Sequence, residues 1–330
     1  MARAKVIALV AAVWFLAGCA GTKGARIAGD TRPGIASGEM YIVPDSTKWI
    51  LVADEKAGLE AARTFWIPAA AVGLTDREKA FFAGGRLTEC RSAIFDGARA
   101  ALVTGEPSGA AVVRASDGRI LFVTETPSGP ESAEVLPGGA IIVASRADGG
   151  TLSIHHRSAQ AAATYGLAGA RGVAWDAKRK SLWALGSDTL NRYSYRTADG
   201  APALALEKEA VLPGPGGVDV YPRSGRDELI VVTYGGVFSY DPANDAWKPF
   251  EPIGEMGGVT SAGDESRGGS VVWTLSDGTV MLKKGKDAAR RFGSGASKVR
   301  WDRLQEFTYG YGTARFAGEG FPTRLITLPR

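Results

Sequence analysis

The stretch Ser92–Arg114 reads SAIFDGARAALVTGEPSGAAVVR, and Ser132–His156 reads SAEVLPGGAIIVASRADGGTLSIHH. They are two copies of one phrase. It recurs as GVAWDAKRKSLWALGSDTLNRYSY from Gly172, GVDVYPRSGRDELIVVTYGGVFSY from Gly217 and GVTSAGDESRGGSVVWTLSDGTVMLKK from Gly258. Each copy opens with a short apolar run, turns, continues in a strongly apolar run, turns at Gly or Asp, and ends in an alternating run. The second residue of each copy marks its phase: Ala93, Ala133, Val173, Val218 and Val259, with Val299 of Lys-Val-Arg-Trp-Asp as a sixth. The steps are 40, 40, 45, 41 and 40 residues. A four-stranded propeller blade takes about 40–45 residues, whereas leucine-rich, ankyrin and tetratricopeptide units are shorter.

The second runs AALVT, AIIVA, SLWAL, LIVVT and VVWTL are rich in β-branched and aromatic residues, so the unit is β. The phrase predicts an all-β fold, a β-propeller of six blades. Hairpins between second and third strands would close at Gly109, Gly150, Asp188, Gly236 and Gly278, where positive φ is expected. The sixth mark has little chain after it. A propeller must close its ring, because an open edge strand invites association. We therefore expect Lys298–Trp301 to complete a blade begun by the N-terminal part, with WILVA as its second strand and a third near Leu59–Phe65. Seven blades is the alternative, if residues 40–90 form a blade of their own. Between the first two blades, Thr75 and Glu78 have capping-box spacing and Gly84-Gly85 suits a helix end. This predicts an inserted helix of about two turns.

The N-terminus carries Arg3 and Lys5, then 11 apolar residues from Val6 to Leu16. A bilayer span needs about 20, so this is a secretory signal and not a membrane helix. It ends Leu16-Ala17-Gly18-Cys19, which resembles a bacterial lipobox. The resemblance implies a signal peptide of residues 1–18, cleaved before Cys19, and lipid on that residue. Residues 19–39, CAGTKGARIAGDTRPGIASGE, lack apolar periodicity and read as a flexible tether to a single propeller domain of residues 40–330. Ala20 stands where an inner-membrane retention Asp is often found, so the expected location is the cell envelope, at the outer membrane in a Gram-negative cell.

Removing residues 1–18 lowers the formal net charge from +4 to +2. No basic stripe suits nucleic acid. Cys90 is the only cysteine besides Cys19, which excludes an internal disulfide once Cys19 is acylated, and reads as a small buried residue.

The phrases GVAWD at Gly172, SLWALG at Ser181, and Ser132-Ala133-Glu134 before Leu136-Pro137-Gly138-Gly139 resemble an uncharacterised bacterial family of six-bladed propellers, a domain of unknown function. The similarity runs over residues 40–310. It implies the fold and supplies no catalytic residues. In that family's pattern a His often precedes the Ser-Ala-Glu and Gly-Val phrases; here those places hold Glu131 and Arg171.

Phosphate-loop, His-Glu-x-x-His and Gly-x-Ser-x-Gly motifs are absent. The two histidines, His155 and His156, are neighbours on a strand, so one packs while the other meets solvent. Asp96, Asp176 and Asp302 read as turn residues bonding backbone, and Trp175, Trp183, Trp273 and Trp301 as packing between blades, with a carbohydrate platform as the sharper alternative. The first strand of each blade lines the axis. Arg91, Glu131, Glu134, Arg171, Asp219, Lys298 and Arg300 therefore converge on the channel as a ligand site or as a ring of salt bridges. No metal site and no cofactor are specified.

Two functions follow. One is a membrane-anchored binding or interaction module for a protein, glycan or small polar ligand, attached through the lipid on Cys19. The other is a metal-dependent hydrolase or lyase of the six-bladed lactonase type, with Glu134 and Asp219 at the metal. The lack of a catalytic constellation favours the first.

Overall fold

The computed structural model describes residues 39–301, apart from 45–47, 55–58, 158–162, 199–200, 224–225, 254–255, 265–269, 278 and 295. The expected signal peptide, Cys19, the expected tether up to residue 38, Gly278 of the predicted hairpin turns and Asp302 lie outside the described residues. Within them, six four-stranded antiparallel sheets form the blades of a ring. All six phase marks fall on the innermost strands: Leu87–Phe95, Pro130–Val135, Gly172–Asp176, Gly217–Pro222, Val259–Asp264 and Ala296–Trp301.

Blade 1 is composite. Its inner strand Ala296–Trp301 pairs with Glu39–Pro44, matching Met40 to Trp301 and Val43 to Lys298. The blade continues outward through Ile50–Asp54 and Arg63–Trp66. Two expectations are corrected here. WILVA is the third strand and not the second, because Glu39–Pro44 takes the second place. Leu59–Ala61 is a 3-10 turn leading into the outer strand Arg63–Trp66. The strand EMYIVP is short, ends in Pro and abuts the tether composition, which hid it from pattern reading.

The core is divided into six clusters, one between each pair of neighbouring blades. Successive side chains of a strand point to opposite faces, so each blade feeds both its neighbours. In blade 1, Tyr41 and Val43 join Leu87, Cys90 and Val103 of blade 2. Met40 and Ile42 instead join Val272, Val280 and Leu282 of blade 6. Phe95 and Leu102 meet Ala133 and Ile141 between blades 2 and 3. Trp183 and Leu190 of blade 4 meet Val220 and Tyr240 of blade 5. Trp183 and Trp273 are fully buried, while Trp175 is partly exposed and stacks edge-on to Tyr195. Three of the four tryptophans thus pack between blades or against a neighbouring ring; the side chain of Trp301 lies outside the described set.

The inserted helix is shorter than expected. It spans Asp76–Ala80, with the capping box present: the Thr75 hydroxyl accepts from the Glu78 N–H and the Glu78 carboxylate accepts from the Thr75 N–H. Its C-cap is Phe81 in ordinary helical conformation, so Gly84-Gly85 do not end it. The turn glycines also split. Gly150 has φ of 99° and Gly236 of 153°, but Gly109 and Asp188 are not in the positive-φ region. Gly109 is required for space instead, since a Cβ there would come within 2.6 Å of the Phe82 ring.

Candidate functional site

Strand direction defines two faces of the ring. One carries the outer-to-inner connections and the turns between second and third strands; it is the mouth face. The other carries the turns between first and second strands; it is the base. Inner strands run from mouth to base. Glu39–Pro44, antiparallel to its inner strand, starts at the base beside Trp301. The Glu39 end of this strand is therefore on the face opposite the mouth.

Four of the seven sequence-predicted residues, Arg91, Glu134, Asp219 and Lys298, meet inside the axis. Arg91 is the hub. Its guanidinium donates to Glu89 at 2.7 Å, to Glu134 at 3.2 Å, to the Ser132 hydroxyl at 2.9 Å and to the Val173 carbonyl at 2.8 Å. Its Cζ lies 5.9 Å from the Tyr221 ring centroid. Lys298 stands 3.7 Å from Glu89 and 3.6 Å from Asp219. Blades 1, 2, 3, 4 and 5 all contribute. The charged side chains of this group are at least nine-tenths buried, so the axis is closed here by ion pairs. Burial pushes the Glu134 carboxyl upward, opposed by Arg91 and by the N–H groups of Val135 and Trp175. Burial pulls the Arg91 guanidinium down, but Glu89 and Glu134 outweigh it and hold its pKa above the usual value.

The bulges that place these groups are repeated. The inner strand slips register against the second strand between Leu87 and Glu89, Pro130 and Ser132, Gly217 and Asp219, and Val259 and Ser261. In four blades an extra residue sits at the mouth end, and bulges of this kind re-aim the side chains that follow. Glu89, Ser132, Asp219 and Ser261 are those side chains, all buried. Glu89 and Ser132 were missed in the sequence, although Glu89 and Arg91 are two apart on one strand and so share a face.

Glu131 and Arg171 are elsewhere, at the mouth. Glu131 accepts from Arg146 Nε at 2.8 Å, and this bond raises the Arg146 pKa, with smaller contributions from Glu106 and Tyr234. Arg171 donates to the Tyr234 hydroxyl at 3.1 Å. Arg300 lies in the inner strand of blade 1, and its side chain is outside the described set. Among the described residues, no three His, Cys, Asp or Glu side chains come together to hold a metal.

The base is tied by ion pairs between blades. Arg157 of blade 3 meets Asp96 of blade 2 at 2.7 Å, and Arg179 of blade 4 meets Asp227 of blade 5 at 2.6 Å. Asp176 also accepts from the Arg179 N–H at 3.0 Å, as a turn residue should. Asp96, with φ of 50°, is a turn residue too, though its carboxylate pairs with Arg157. His155 is buried and bonded to Ser153 at 2.8 Å and Thr124 at 3.1 Å, whereas His156 is half-buried against the Gly138 carbonyl. Burial pushes the His155 pKa down to about 4 and the Cys90 thiol well up, which suits packing more than chemistry.

These features define a six-bladed β-propeller, closed by pairing of its terminal strands, with an ion-paired axis. The chain belongs to the family of unknown function DUF6528, whose model matches residues 5–276. In fold it is similar to a functionally unknown protein from Desulfotomaculum acetoxidans DSM 771, at 11% identity over 77% of this chain and 80% of that one, with a TM-score of 0.51. It also matches hydrazine synthase of Kuenenia stuttgartiensis, at 12% identity over 67% and 68%, with a TM-score of 0.47. No curated protein matches the sequence.

Proposed function

We propose that the protein is a lipid-anchored binding module of the cell envelope whose mouth face receives the ligand. The observation that carries this is the opposition of faces: the chain enters the ring at the base, at Glu39, while Glu131, Arg146, Arg171 and Tyr234 gather at the mouth. A lipid on Cys19 tethers the ring from its base side and leaves the mouth free to meet a partner. The axis beneath the mouth carries the buried ion pairs of Glu89, Arg91, Glu134, Asp219 and Lys298.

A metal-dependent hydrolase is less favoured. Glu134 and Asp219, the carboxylates such an enzyme would use, face Arg91 and Lys298 at 3.2 and 3.6 Å. A cation there would have to displace both.

Dialysis of the mature protein against calcium and manganese, followed by metal analysis and a lactone-hydrolysis assay, tests the choice. The binding-module reading expects neither stoichiometric metal nor turnover. Metal-dependent turnover abolished by Glu134→Gln would replace it with the hydrolase.

A further inference from the structure

We propose that Arg171 and Tyr234 form a recognition site for an acidic sugar, a pyranose bearing a carboxylate; this rests on the mouth being the receptive face. Tyr234 lies in the turn between the second and third strands of blade 5, and it is 58% exposed. Exposed tyrosines are usually free to swing, but this one is held. Its N–H donates to the carbonyls of Pro215 at 3.0 Å and Gly216 at 3.1 Å. Its ring lies against Gly216, where φ is 64° and a Cβ would overlap the ring edge. Its hydroxyl accepts from Arg171 at 3.1 Å. A rigid aromatic surface costs little ordering entropy when a ligand lands on it, which is why Tyr and Arg dominate binding hot spots.

Arg171 supplies the charge. Its Cζ is 5.9 Å from the Tyr234 ring centroid. Among the described residues no carboxylate pairs with it, so its positive charge is met only by a neutral hydroxyl. A guanidinium has five N–H donors in a planar fork, and the Tyr234 bond leaves donors free for bidentate pairing with a carboxylate. The neighbouring Arg146 is occupied by Glu131 at 2.8 Å and does not compete. A flat ring beside an unpaired guanidinium matches a uronate sugar: its C–H face rests on the ring and its carboxylate meets the fork. Met256, 43% exposed, lies on the same face. Glu106 and Glu131, also at the mouth, disfavour a densely charged polyanion such as nucleic acid.

Calorimetry on the mature protein tests this with tetragalacturonate and a hyaluronan tetrasaccharide, against neutral cellotetraose and hexaglutamate. At least one uronate is expected to bind at least tenfold more tightly than cellotetraose. Arg171→Gln should weaken that binding at least tenfold while leaving the melting temperature unchanged, since the side chain is at the surface. Tyr234→Ala should weaken it similarly, and Tyr234→Phe, which keeps the ring, only a few-fold. Failure of both uronates, or binding untouched by Arg171→Gln, overturns the site. Hexaglutamate binding as tightly, indifferent to Tyr234→Ala, also overturns it in favour of a peptide carboxylate. The mouth reading stands or falls separately, on whether photoreactive residues at Asp188 and Met256 capture a partner.

Discussion

The guanidinium of Arg91 reaches the carboxylate of Glu134 at 3.2 Å across the axis, although the two residues are 43 positions apart and belong to different blades. Both side chains are at most 5% exposed. Removing one member of a buried pair leaves the other charged and unsolvated, at a cost of about 3–5 kcal/mol, whereas an exposed pair contributes about 0–1 kcal/mol. Glu134→Ala is therefore expected to lower stability by about 3 kcal/mol or more in a denaturant titration. A loss below about 1 kcal/mol would mean that the axis is open to water and that Glu134 is kept for binding.

His155 sets a pH dependence. Its folded pKa is depressed to about 4 by burial, below an unfolded value of about 6.5. Between these values the unfolded chain takes up a proton that the folded chain refuses. Stability is thus fully present above pH ~6.5, falls as pH drops, and levels off below pH ~4, a loss approaching about 3 kcal/mol at the low end. His155→Asn should flatten this part of the profile when unfolding is followed at several pH values. An unchanged slope would place the titration in other groups.

Much of the ring was legible in the sequence, because a repeat forces the same apolar phrase to recur and a closed ring requires partners for its ends. The contents of the axis were only partly legible. Arg91, Glu134, Asp219 and Lys298 were found as polar residues near the phase marks, but Glu131 and Arg171, chosen by the same rule, lie at the mouth. Inner-strand side chains lean toward either neighbouring blade, so both parities reach the axis and alternation cannot separate them. The register slips at Glu89, Ser132, Asp219 and Ser261 have no sequence signature of their own. Tyr234 escaped notice because its role depends on Gly216 and Arg171, which reach it from other segments.

Ring closure depends on the pairing of Ala296–Trp301 with Glu39–Pro44. A chain ending at Ser294 loses the inner strand of blade 1, together with Lys298 of the axial cluster. It should expose the edge of Glu39–Pro44 and aggregate, as light scattering would show. A soluble truncation with an unchanged cooperative melt would contradict this.

The anchor is tested separately. Cys19→Ser removes the thiol that is acylated, so metabolic labelling with a palmitate analogue should be lost. Equal label on the variant would remove the lipoprotein reading and with it the reason for the mouth to face outward.

Site-directed photo-cross-linking in the native host tests the receptive face most directly. A photoreactive residue is placed at Asp188 or Met256 on the mouth, or at Lys180 on the base, all of them exposed. The account predicts discrete adducts from Asp188 and Met256 and none from Lys180. Adducts from Lys180 alone, with the mouth positions silent, would contradict it.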